Sequence, residues 1–139
     1  MMSAMPSESA APRLFPTLRC RDADAMLRWL TGVLGFTEHA VYRDDGAVQH
    51  AELAYGSSLL MLGPDRDDAH GKLVGDLQGR RTDALYLAVD DPDALHAQVQ
   101  ASGATIETPP YDTAYGSREF ACRDPEGNLW SFGTYWPKA

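Results

Sequence analysis

At 139 residues the chain has the length of one domain able to bury a core of its own. Hydrophobic residues make up 44% and charged residues 23%, ordinary values for a globular domain, while 20 Asp and Glu against 12 Lys and Arg give a formal net charge of −8. That balance speaks against nucleic acid and anionic membrane as partners, because both reward clustered Lys and Arg, and no apolar run is long enough to span a bilayer.

Residues 1–12, rich in Ser, Ala and Pro, read as a loose tail, with neither the basic nor the apolar stretch of a secretory signal. A cytoplasmic protein with reduced Cys20 and Cys122 is therefore expected. From residue 13 a strand begins in which Phe15, Thr17 and Arg19 alternate on one face. Asp22 or Asp24 can cap a following helix, in which Met26, Leu27, Leu30, Val33 and Leu34 form one apolar face and Gly35 is the stop. Strands are predicted over 37–43, 48–54 and 57–62, with Asp44-Asp45-Gly46 and Tyr55-Gly56 as turns. The Gly-, Asp- and Arg-rich stretch that follows, residues 64–81, reads as a linker.

The second half repeats the first. Leu18-Arg19-Cys20-Arg21-Asp22-Ala23-Asp24-Ala25-Met26 aligns with Leu87-Ala88-Val89-Asp90-Asp91-Pro92-Asp93-Ala94-Leu95, 69 residues later. Asp91 can cap, Pro92 fits the first helical position, Leu95 and Val99 face inward, and Gly103 ends the helix. Strands are predicted over 105–108, 117–123 and 128–135, the last two joined by the Asp124-Pro125-Glu126-Gly127 turn. Period two places Trp130, Phe132 and Trp136 on one face of the last strand, with Ser131, Gly133 and Tyr135 on the other. The expected architecture is α+β: a single domain over 13–139 holding two tandem βαβββ modules, about 13–63 and 82–136, whose curved mixed sheets surround a cavity.

Two such modules resemble the vicinal-oxygen-chelate superfamily of glyoxalases, bleomycin-resistance proteins and dioxygenases. The local matches are Val33-Leu34-Gly35-Phe36 at the first helix exit, Asp91-Pro92-Asp93-Ala94-Leu95-His96 at the second helix entry, and Gly116-Ser117-Arg118-Glu119-Phe120-Ala121 followed by Arg123-Asp124-Pro125-Glu126-Gly127-Asn128, which is similar to the bleomycin-resistance branch. In metal-using members of that superfamily four strands each supply a His, Gln or Glu. The resemblance places Phe15, Glu52, Ala84 and Ser131 at those positions. One good donor of four is too few for a divalent cation, so neither a metal nor another cofactor is expected. His50 and Glu52, two apart on one strand face, offer at most a weak two-donor alternative.

With the metal ligands gone, the resemblance implies a homodimer that holds a small molecule, as antibiotic-sequestering proteins do. Tyr86 and Phe15 are candidates to stack on a ligand from the cavity face, and Tyr111 and Tyr115, flanking Pro109-Pro110, are candidates for a mobile rim. Glu52 either pairs with Arg19 at the cavity floor or, in apolar surroundings, acts as a base. The expected ligand-binding set is Phe15, Arg19, Glu52, Tyr86, Tyr111, Tyr115 and Ser131, and the acidic charge favours a planar, cationic or amphipathic guest. The rival is an enzyme, a lyase or isomerase using Glu52 or an atypical metal site. A third option is a cavity filled by its own side chains.

Overall fold

The structure is a computed structural model, and it describes residues 12–74 and 83–137. Strand β1 (Thr17–Cys20) leads into helix α1 (Ala23–Trp29), which widens into a π-helical turn over Leu30–Leu34. Strands β2 (Thr37–Asp44), β3 (Ala47–Tyr55) and β4 (Ser58–Pro64) follow, then a short helix α2 (Ala69–Val74). The second module runs β5 (Leu85–Ala88), α3 (Pro92–Ala101), β6 (Ile106–Asp112), β7 (Arg118–Arg123) and β8 (Leu129–Gly133). Each module forms one four-stranded mixed sheet, ordered β1-β4-β3-β2 in the first and β5-β8-β7-β6 in the second. The tandem βαβββ expectation is met.

Local chemistry explains the helix boundaries. Asp22, not Asp24, caps α1 by accepting the Ala25 N–H at 3.0 Å, and Asp91 caps α3 through the Ala94 N–H at 3.1 Å. Asp24 instead bonds Arg43 (2.7 Å) and the Val48 N–H (3.2 Å), which hold its carboxyl below the usual range. Gly35, at φ 85°, turns the chain out of the π-helical turn, and the Phe36 N–H closes back onto the Leu30 carbonyl at 2.9 Å.

Three expectations need correction. The stretch read wholly as a linker contains the end of β4 and helix α2, while residues 75–82 lie outside the described ones. Pro109 and Pro110 belong to β6 rather than to a loop. β6 is the outer strand of its sheet, with register shifts on either side of Thr108, and such an irregular edge tolerates proline. The last strand is shorter than predicted: β8 ends at Gly133, so Trp136 does not share the strand face of Trp130 and Phe132 and is 58% exposed.

The helix-facing sides of both sheets share one core. Trp130 meets Trp29 edge-on (centroids 6.0 Å apart) and Phe36 (6.1 Å), so first-module rings pack on a second-module strand, and Phe120 stacks on Phe132 at 4.8 Å. Each large side chain buried this way contributes about 1.5–3 kcal/mol. A polar clamp joins the modules too. The Glu126 carboxylate, in the β7–β8 turn, accepts the backbone N–H groups of Arg21 (2.8 Å) and Asp22 (3.1 Å) where the chain enters α1.

Cys20 and Cys122 are fully buried and unpaired. Burial pushes each thiol up to about 12, helped by Glu126 and Asp124 near Cys20 and by Asp124 near Cys122. Native protein at mild alkaline pH should therefore resist iodoacetamide until unfolded, as read by mass. An unfolded thiol loses its proton near pH 9 while the folded one keeps it, so folded stability should fall as pH rises above about 9.

Candidate functional site

In each sheet one face packs on the helices and the other is open. In the second module the registers Tyr86↔Ser131, Ala121↔Ser131, Glu119↔Gly133 and Tyr111↔Glu119 place these residues together on the open face. Their neighbours Leu85, Phe120, Cys122, Trp130 and Phe132 point into the core. Two adjoining hollows lie on this face. One of about 400 Å³ is walled by Tyr86, Tyr115, Tyr135 and Pro137, and one of about 300 Å³ by Tyr111, Thr108, Glu107 and Arg123. Glu119 and Ser131 line both. These volumes suit a small organic molecule.

Glu119 is the residue that sequence reasoning passed over. In the sequence it stands inside a motif, and the alternation that sends Phe120 and Cys122 inward sends Glu119 to the open face. It is 9% exposed, and its Oε2 accepts the Tyr115 hydroxyl at 2.9 Å. That bond, then burial and the Glu119 charge, raises the Tyr115 phenol above its ordinary value. The Tyr86 hydroxyl donates to the Tyr135 carbonyl at 2.6 Å, and burial followed by the Glu119 charge raises the Tyr86 phenol as well. Tyr115 and Tyr135 meet edge-to-face at 5.9 Å, and the Ser117 hydroxyl oxygen holds the Tyr135 N–H at 3.0 Å. The Tyr86 hydroxyl and the Glu119 carboxylate meet over Gly133: a Cβ there would lie 2.6 Å from Tyr86 Oη and 2.9 Å from Glu119 Oε2.

Of the expected ligand-binding set, Tyr86, Tyr111, Tyr115 and Ser131 thus come together. Phe15, Arg19 and Glu52 do not join them, since neither hollow has a wall from the first module. Phe15 precedes β1 and is half-buried, and Ala84 directly precedes β5. The expected Arg19–Glu52 pairing is not formed. Arg19 holds Asp68 through both guanidinium NH groups (3.2 and 3.3 Å), and Glu52 bonds His50 at 3.0 Å. Strand β4 is the reason: it lies between β1 and β3, leaving roughly 10 Å between the strands that carry the two residues. Asp68, just past β4, is the nearer partner.

The registers also revise one of the four metal positions. Ser131 pairs with Tyr86 in the second sheet as Met61 pairs with Thr17 in the first, so Met61 on β4 answers to Ser131. Glu52, on β3, pairs with Met61 as Ala121 pairs with Ser131. The donor set then becomes Phe15, Met61, Ala84 and Ser131, a thioether and a hydroxyl, which does not fit a hard or borderline divalent cation. Among the described residues no group of three His, Cys, Asp or Glu is placed to hold a metal ion, and no helix is long and apolar enough to cross a membrane.

Comparison with known proteins agrees with this architecture. The family model described as the glyoxalase/bleomycin resistance protein/dioxygenase superfamily matches residues 14–132. TioX from Micromonospora sp. ML1 is a similar solved structure, with a TM-score of 0.74 at 27% identity, covering 91% of this chain and 100% of that one. A lactoylglutathione lyase from Agrobacterium tumefaciens shares the fold at a TM-score of 0.63 and 22% identity, covering 92% of this chain and 93% of that one. Among curated proteins, the uncharacterized protein Mb0911c of Mycobacterium bovis is 29% identical over 125 residues, 88% of this chain and 82% of that protein.

Proposed function

The chain belongs to the glyoxalase/bleomycin resistance protein/dioxygenase superfamily, and we propose that within it this protein binds a small organic molecule without metal or cofactor, in the manner of antibiotic-sequestering members. The observation that carries the reading is the tyrosine-walled hollow on the open face of the second sheet, where Tyr86, Tyr115 and Tyr135 stand around Glu119 and Ser131. Flat ring walls with a few polar anchors suit a planar, amphipathic guest. The residues at the metal positions speak for binding over metal-assisted chemistry. A net charge of −8 with an acidic site favours a small-molecule partner over nucleic acid or anionic membrane, and the protein is expected to work in the cytoplasm.

A thermal-shift screen of aromatic cations, glycopeptides and neutral aromatics tests the reading. Hits should raise the melting temperature, and Tyr86→Ala should weaken them roughly tenfold, through about 0.5–1.5 kcal/mol of stacking and the lost contact area. If no compound shifts the melting temperature, the open face is not a binding site.

The second copy in a homodimer is the partner proposed for the open faces. Tyr42, Tyr86 and Tyr111 are each more than a third exposed on them, and such ring-bearing sheet faces are commonly covered by symmetric pairing. Light scattering should report twice the 15.2 kDa chain mass at micromolar concentration, and a monomer would contradict this.

One observation favours a lyase or isomerase instead. The His50–Glu52 hydrogen bond on the first sheet joins an imidazole to a carboxylate, as a proton-transferring pair requires. The two readings part on the fate of the ligand: a binder releases it unchanged, whereas an enzyme converts it and loses the conversion in Glu52→Gln.

A further inference from the structure

We propose that the pocket around Glu119 is a site for an organic ammonium group, a protonated or quaternary amine whose charge meets the Glu119 carboxylate and whose flanks rest on Tyr86, Tyr115 and Tyr135. The inference rests on the reading of this face as a ligand-binding surface and assigns the chemistry that the surface selects. A carboxylate that is only 9% exposed ordinarily has a cation beside it, because the cost of removing its hydration must be offset. Glu119 has none. Arg118, next along β7, points the other way to Asp93 (3.0 Å) and Asp112 (3.5 Å). Arg123, the cation that borders the smaller hollow, sits 3.7 Å from Glu107. Among the described residues the sole hydrogen bond to the Glu119 carboxylate comes from the neutral Tyr115 hydroxyl.

The walls suit the same guest. Phenol rings attract cations through their faces, and both rings are held in their neutral form, Tyr86 by burial and the Glu119 charge, Tyr115 by its hydrogen bond to Glu119 and then by burial. The Tyr86 proton is committed to the Tyr135 carbonyl, so among the described residues Glu119 accepts from Tyr115 alone. An anion would meet both Glu119 and Glu107 here, against the single Arg123. A bare metal ion would find one carboxylate and too few further donors. An ammonium needs one counter-charge and apolar flanks, and this pocket has both.

Three matched probes test the proposal by calorimetric titration of the purified full chain: benzyltrimethylammonium, benzyl alcohol and phenylacetate. The cation should bind at least about tenfold more tightly than the alcohol, and the anion should not bind, as loss of a charge-assisted contact implies. Glu119→Gln should remove the cation's advantage over the alcohol. Ser131→Lys, which brings a positive charge beside Glu119 without altering it, should do the same and decides the question if Glu119→Gln does not fold. Equal binding of cation and alcohol by the unmodified protein, or a Glu119→Gln variant that keeps the cation's advantage, would overturn the ammonium assignment while leaving the binding face intact. If none of the three binds, both readings fall. Light scattering on Glu119→Gln closes the remaining route: dissociation of a dimer would mean that a cation of the second copy neutralises Glu119, and the assignment would be wrong.

Discussion

Asp124→Ala should destabilise the fold by about 3–5 kcal/mol, more than any single change in the binding face. Asp124 is 5% exposed, and its carboxylate gathers the donors of the β7–β8 turn. Oδ1 accepts the backbone N–H groups of Glu126 (2.8 Å) and Asn128 (2.9 Å), and Oδ2 accepts the Asn128 side-chain amide (2.9 Å) and the Trp130 indole N–H (2.8 Å). Alanine strands the indole N–H inside the core that joins the modules. It also loosens the turn from which Glu126 clamps the entry to α1. The melting temperature should fall by roughly 10 °C, and urea unfolding should give the matching free energy. Asp124→Asn keeps the shape but turns an NH2 toward donors, so it should recover less than half of the loss. A loss below about 1 kcal/mol in Asp124→Ala would show that this carboxylate does not hold the turn.

Gly133→Ala should damage the binding face more than the fold. The new Cβ would fall 2.7 Å from Glu119 Cγ and 2.6 Å from Tyr86 Oη, closer than real Cβ contacts come. The colliding groups are side chains on the open face, so they can move, and overpacking of this kind costs about 1–3 kcal/mol. Movement breaks the bond from Tyr86 to the Tyr135 carbonyl and turns Glu119 out of place. Any ligand found in the screen should bind at least about tenfold more weakly, while the chain still folds cooperatively. Undiminished binding in this variant would place the ligand elsewhere.

Much of the architecture was legible because it is written in local chemistry. The Asp22 and Asp91 caps, the Gly35 and Gly103 exits, the Asp124–Gly127 turn and the inward alternation of Trp130 and Phe132 each depend on a few adjacent residues. The features that escaped depend on what lies across space. That Arg19 meets Asp68 rather than Glu52 follows from β4 standing between β1 and β3, a strand order that no local pattern states. Period two could not say that β8 stops at Gly133, so it placed Trp136 on a strand face that the residue does not share. Pro109 and Pro110 read as a loop because proline leaves central strands, and only the outer position of β6 accommodates them. Glu119 is the instructive case. Its face was derivable, yet its importance comes from having no cation beside it among the described residues, and that is a property of the assembled pocket.

The most direct test of the account is amide chemical-shift mapping of the isotope-labelled protein as an aromatic cation such as benzyltrimethylammonium is titrated. Saturable shifts should concentrate at Tyr86, Tyr115, Glu119, Ser131 and Tyr135, and should be absent in Gly133→Ala. Saturable shifts confined to His50, Glu52 and their neighbours on the first sheet, or no saturation anywhere, would contradict it.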